Sequence, residues 1–131
     1  PLHQAAATNV RALRRWLITG VDVNMVDDHL ATALMLASQH IQTECVEELI
    51  RYGADVTLQD EHGRTALHCI GEFGDSDRDG GTIVRLLIES GCNPAIRDGF
   101  GHTATESAAS PTHRRSWASK FETWVLSAVR P

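Results

Sequence analysis

The chain has 131 residues and a formal net charge of −5 at pH 7, which is one domain's worth of sequence and enough to bury about two-thirds of its unfolded surface. An apolar share of 42% excludes general disorder. The acidic balance disfavours nucleic acid and anionic membrane as partners, and no apolar run reaches the ~18 residues of a membrane span. Three cysteines, Cys45, Cys69 and Cys92, show no C-x-x-C spacing and read as reduced thiols in an intracellular setting. Cys45 and Cys92 stand where small apolar side chains suffice.

Taken in order, residues 1–8 and 10–19 read as two helices, with Arg14 and Arg15 outward and Trp16 and Leu17 packed inward. An extended link over 21–31 follows, with its tip at Asp27, Asp28, His29 and Leu30. Asn24 ends the preceding turn as a structural residue. Helices near 32–40 and 43–52 form a second pair, and helices near 65–73 and 81–90 a third. Their links carry the tips Gln59-Asp60-Glu61-His62 and Arg97-Asp98-Gly99-Phe100. A fourth unit departs from this scheme, with Thr105 and Glu106 where a Leu and a His stand in the third, and Ser110-Pro111 breaking the chain. A long helix over 112–129 closes the sequence. Trp117, Phe121, Trp124, Val125 and Ala128 share one face of it, suited to capping the core of the third unit.

The same phrase closes three of these units: W-L-I-T-G-V-D-V-N, L-I-R-Y-G-A-D-V-T and L-I-E-S-G-C-N-P-A, ending at Asn24, Thr57 and Ala95. Gly20 and Gly53 lie 33 residues apart, and so do Asp27 and Asp60; the third copy follows after 38. A period of this length, with two helices and a turn in each unit, means a stacked array. Each glycine suits a left-handed helix C-cap. The opening phrases are Pro1-Leu2-His3-Gln4-Ala5-Ala6, Thr32-Ala33-Leu34-Met35-Leu36-Ala37 and Gly63-Arg64-Thr65-Ala66-Leu67-His68, with a weaker Gly101-His102-Thr103-Ala104.

On these residues the chain resembles the ankyrin repeat family across nearly its whole length. The resemblance implies an all-α solenoid of helix-turn-helix units with hairpin-like links. The units fall at about 1–27, 28–60 and 61–98, with a capping unit over 99–131. The chain starts inside the first phrase without Met, which reads as a piece of a longer protein. The resemblance also implies that His68 bonds backbone in its own or a neighbouring turn. It implies a non-catalytic module, monomeric in isolation and without cofactor, that binds a protein or peptide on its concave side and tips. First-helix positions left over from the core are Gln4, Ala7 and Thr8, then Leu36, Gln39 and His40, then Cys69, Glu72 and Phe73. Leu30, Leu36, Phe73 and Phe100 would form an apolar stripe, rimmed by His29, His62, Asp28, Glu61 and Glu72.

Two features point elsewhere. Asp75, Asp77, Asp79 and Gly80 match the first half of a calcium loop. Leu86, however, stands where the bidentate Glu belongs, so the segment reads first as a solvated loop with Asp79 as the N-cap of the next helix. A cation-regulated module is the alternative it leaves open. A second alternative is the targeting arm of an enzyme encoded elsewhere in a longer chain. No Ser-His-Asp set, phosphate loop or paired-carboxylate cleft is present in the sequence.

Overall fold

The computed structural model describes residues 2–70, 77–108, 123 and 125–128. Its helices are α1 Leu2–Thr8, α2 Val10–Ile18, α3 Ala33–Gln39, α4 Thr43–Arg51, α5 Ala66–Cys69, α6 Asp77–Glu89 and α7 Ala104–Ala108. Among the described residues there is no strand; a single antiparallel bridge joins Val26 and Thr32 in the first link. First helices stack in one row, α1 on α3, α3 on α5 and α5 on α7, and second helices in another, α2 on α4 and α4 on α6.

That stacking builds the core. Leu13, Leu34, Leu49, Leu67, Ile83 and Leu87 are fully buried, each contributing about 1.5–3 kcal/mol of burial. Small residues hold the contacts between rows: Ala6, Ala33, Ala37 and Cys45 are fully closed off from solvent. Between the second-helix rows sits one buried charge, Glu48, held by Arg14 at 3.5 Å and Arg51 at 3.3 Å.

Several helix ends are closed by residues the sequence supplies. Asn9 Oδ1 accepts from Arg11 and Ala12 N–H at the start of α2. Thr32 Oγ1 accepts from Met35 N–H at the start of α3. At the C-termini of α4 and α6, Gly53 and Gly91 adopt φ of 88° and 108°. The next N–H groups reach back, Ala54 to the Leu49 carbonyl and Cys92 to the Leu87 carbonyl, both at 2.9–3.0 Å. This is the glycine C-cap read from the repeated phrase. The end of α3 makes the same pair of bonds, Ile41 N–H to Ser38 and Gln42 N–H to Ala37, with Ile41 in the glycine position at φ 53°.

Histidines tie two of the first helices, α1 and α5, to the next link, as expected for His68. The Thr65 N–H can only donate, so His68 Nδ1 accepts it at 3.2 Å, and Nε2 donates to the His102 carbonyl at 2.9 Å. His3 Nε2 makes the same bond to the Ala31 carbonyl at 2.8 Å. In the fourth unit Glu106 takes over this position. Its Oε1 accepts from Thr103 N–H at 3.0 Å, and Thr103 Oγ1 accepts from Glu106 N–H at 3.2 Å. The departure noted at Glu106 is therefore a reciprocal capping box.

Several expectations are corrected. Trp16 does not pack inward: it is 42% exposed, whereas Leu49 and Leu87 at the same place in the phrase are 0% exposed. The reason is the helix face: α2 turns Leu13 and Leu17, one turn apart, toward α1 and α4, and Trp16 stands about 100° round from Leu17. Helix α5 is four residues long, because Ile70 leaves the helical region at φ −66°, ψ 140°. Cys69, expected on the open face, is buried. Helix α6 begins at Asp77, so Asp79 lies inside it and is not its N-cap. In the C-terminal helix, Val125 is buried and Leu126 exposed; Trp117, Phe121 and Trp124 lie outside the described residues.

Two expected outcomes follow from this architecture. Leu30 occupies, at φ 61°, the turn position that Gly63 and Gly101 occupy at 74° and 82°. A left-handed leucine costs about 1–2 kcal/mol, and the extra chain entropy of glycine offsets about 0.5–1 of that. Leu30→Gly should therefore match wild type or gain up to about 1 kcal/mol in urea denaturation, while Leu34→Ala should lose about 3 kcal/mol. Asp60→Ala should lose about 2 kcal/mol by stranding the N–H groups it receives, and Asp60→Asn markedly less, because an amide oxygen still accepts; thermal melts of the two variants check this.

Candidate functional site

Three tips share one internal construction. In each, an aspartate closes the turn on itself. Asp27 Oδ1 accepts from His29 and Ala31 N–H at 2.8 and 2.9 Å. Asp60 Oδ1 accepts from His62 and Arg64 N–H, both at 2.9 Å. Asp98 Oδ1 accepts from Phe100 and His102 N–H at 2.9 and 3.0 Å. The aspartate N–H in turn donates across the neck to the carbonyl four residues on, at 2.8–3.0 Å in all three. Desolvation acts against the Asp27 carboxylate, but the Ala31 and His29 N–H bonds outweigh it and hold it below the ordinary value.

Backbone bonds then link tip to tip. Glu61 N–H donates to the His29 carbonyl at 2.9 Å, and Gly99 N–H to the His62 carbonyl at 2.7 Å. The second contact is so close that a Cβ on Gly63 would lie 2.9 Å from Gly99 N. Deeper in the link, Asn24 Oδ1 accepts from Asp55 N–H at 2.7 Å, the structural role read for Asn24. The ladder fixes a register in which His29, His62 and Phe100 occupy equivalent places on successive tips.

The exposed side chains at this register are chemically distinctive. Phe100 is 76% exposed and Leu30 50%; His29, His62, Asp28 and Glu61 are exposed too. Glu61 Oε1 sits 2.8 Å from His29 Nδ1 and 3.4 Å from His62 Nε2, so one carboxylate faces two imidazoles. The Glu61 hydrogen bond, helped by its charge and those of Asp27 and Asp28, raises the His29 pKa above the ordinary histidine value. Five carboxylates stand on the three tips, Asp27, Asp28, Asp60, Glu61 and Asp98, against two arginines. Both arginines are engaged, Arg64 with Asp60 at 3.0 Å and Arg97 with Glu106 at 2.9 Å.

The remaining residues singled out in the sequence are distributed as follows. Leu36 and Gln39 are half-buried on α3 and His40 is exposed at its end. Gln4 and Thr8 are exposed and Ala7 half-buried on α1. Glu72, Phe73 and Asp75 lie outside the described residues, as do the side chains of Asp77 and Asp79. Among the described residues, no three His, Cys, Asp or Glu side chains gather in a way that could hold a metal ion. The sequence reading missed an open groove of about 430 Å³ between the turns of the first two units, lined by Thr8, Asn9, Ile41, Gln42, Thr43 and Glu44. It also missed the exposure of Ile18, Met25 and Val26. The residues 33 positions on are Arg51, Leu58 and Gln59, exposed, half-buried and exposed, so the period itself marks Ile18 and Val26 as outward positions.

Nothing at these places resembles an acyl- or phosphoryl-transfer centre. The cysteines are buried and free, and burial pushes the Cys45 thiol up to about 11 and raises that of Cys92. Both stay protonated and serve as small apolar side chains.

Comparison with known proteins agrees with this architecture. The family described as ankyrin repeats, in three copies, matches residues 2–98. The chain is 34% identical over 76 residues to an ADP-ribosylation factor GTPase-activating protein of Arabidopsis thaliana, covering 57% of this chain and 9% of that protein. It is 36% identical over 116 residues to an ankyrin repeat and SAM domain-containing protein of Rattus norvegicus, covering 87% of this chain and 12% of the relative. The chain thus spans roughly a tenth of these relatives' length. An ankyrin repeat domain from Acinetobacter baumannii superposes with a TM-score of 0.83 at 30% identity, over 98% of this chain and 63% of the other. Arrays of this kind are, as a class, protein–protein interaction modules of generally non-enzymatic fold. Among the described residues, no helix is long and apolar enough to cross a membrane. With the repeated caps, the paired helix rows and the tip ladder all in register, the chain belongs to the ankyrin repeat family.

Proposed function

We propose that this array is a non-catalytic docking module that holds a partner peptide or domain on its hairpin tips and the adjoining first-helix side. The observation that carries the reading is Leu30. It keeps a large, half-exposed side chain at a left-handed position where the two sister tips use glycine. Backbone strain of this sort persists where the side chain has other work. Phe100, almost wholly exposed on a tip pinned by Asp98, adds an anchor of the aromatic type that dominates interfaces. Because the tips are braced by their own hydrogen bonds, a partner loses little affinity to ordering them.

A second reading accompanies this one. A relative named for GTPase-activating activity devotes about a tenth of its length to the matching segment. The array would then act as the targeting arm of an enzyme carried in a longer chain, with the same tips as its grip.

Selection of binders from a random peptide library on the wild-type array tests the reading. Phe100→Ala and Leu30→Gly are expected to weaken the selected peptides tenfold or more (about 1.4 kcal/mol), with melting temperatures at or above wild type. Binders indifferent to both variants would place the interface elsewhere.

A further inference from the structure

We propose that the row formed by His29, His62 and Phe100 receives an extended, arginine-bearing segment of a partner protein, with guanidinium groups on the rings and against Asp28 and Glu61. The inference rests on the docking reading above and names the chemistry of the occupant.

Three observations converge on it. First, the tip ladder sets the three rings at the same register on successive tips, bonded through Glu61 N–H to His29 and Gly99 N–H to His62. The three residues therefore stand in a line rather than at scattered points, which matches an extended chain. Second, the charge is one-sided. The only arginines on the tips, Arg64 and Arg97, are already paired with Asp60 and Glu106. Among the described residues, Asp28 carries no ion pair with an arginine, and Glu61 is met by imidazoles alone. A cationic partner is favoured by the uncompensated carboxylates. Third, aromatic faces beside carboxylates suit arginine over lysine. A guanidinium is planar, stacks on rings and donates in a fork to a carboxylate.

The same geometry makes the grip sensitive to acidity. His29 faces Glu61, with His62 3.4 Å from the same carboxylate oxygen and Asp27 and Asp28 nearby. As pH falls, His29 gains a proton, pairs with Glu61 and withdraws that carboxylate from a cationic ligand. Arginine binding should weaken on going from about pH 8 to about pH 6.

The test is a titration of the isotope-labelled 131-residue chain, followed by amide NMR. The probes are three short peptides in which leucine alternates with arginine, lysine or glutamate. The arginine peptide is expected to shift the amides of His29, Glu61, His62 and Phe100. It should bind at least about threefold more tightly than the lysine peptide and leave the glutamate peptide without effect. Phe100→Ala and Glu61→Gln should each weaken it about fivefold or more; both positions are exposed, and unchanged melting curves verify that the fold survives. The proposal is overturned if the glutamate peptide shifts the tips as strongly, if the arginine peptide acts elsewhere, or if neither variant matters. Tip shifts with the glutamate peptide would leave the docking reading intact and sink this one. Silence of the tips toward all three peptides, together with library binders that ignore the tip variants, would sink both.

Discussion

No helical pair in this chain can bury its own apolar face, and that shortage governs everything else. Most of the helices run four to nine residues, below the roughly 12–15 at which an isolated helix holds in water. Leu49 and Val46 on α4 are closed off because α2 and α6 press from both sides. The register of one unit therefore dictates that of the next.

Polar bonds do a different job from the stacking. Glu48 held between Arg14 and Arg51, Asn24 bonded to Asp55 N–H, and His68 reaching the His102 carbonyl each join adjacent units. Their net contribution to stability is modest beside the core. What they supply is orientation, because a hydrogen bond is directional and holds its two partners at a set distance and angle. The tip aspartates extend that control to the surface. Asp60 ties up two backbone N–H groups and one arginine at once, so the exposed side chains beside it project from a braced turn.

The two strained positions sit on this framework and differ in kind. Ile41 closes α3 in the place of a C-cap glycine, and its side chain packs against the core, so apolar burial offsets the backbone cost. Leu30 has no such compensation, being half exposed. The contrast separates a side chain held by packing from one that the fold itself leaves half open.

Sequence alone determined the repeat. Glycines spaced by 33, aspartates in step with them and capping threonines before each apolar run are local chemistry, set by which residues tolerate a left-handed turn or satisfy a free N–H. They placed six of the helices in order and located all three tips. The candidate site was legible as a set of exposed positions, His29, His62, Leu30 and Phe100 among them, but not as a line. That line exists only because Glu61 and Gly99 bond backwards to the preceding tips. Tertiary structure likewise decided the burial of Cys69, the exposure of Trp16 and the sharing of Glu61 between two imidazoles. Each of these depends on which neighbouring unit lies against the residue, and a periodic sequence gives equivalent positions the same letter-pattern while their surroundings differ.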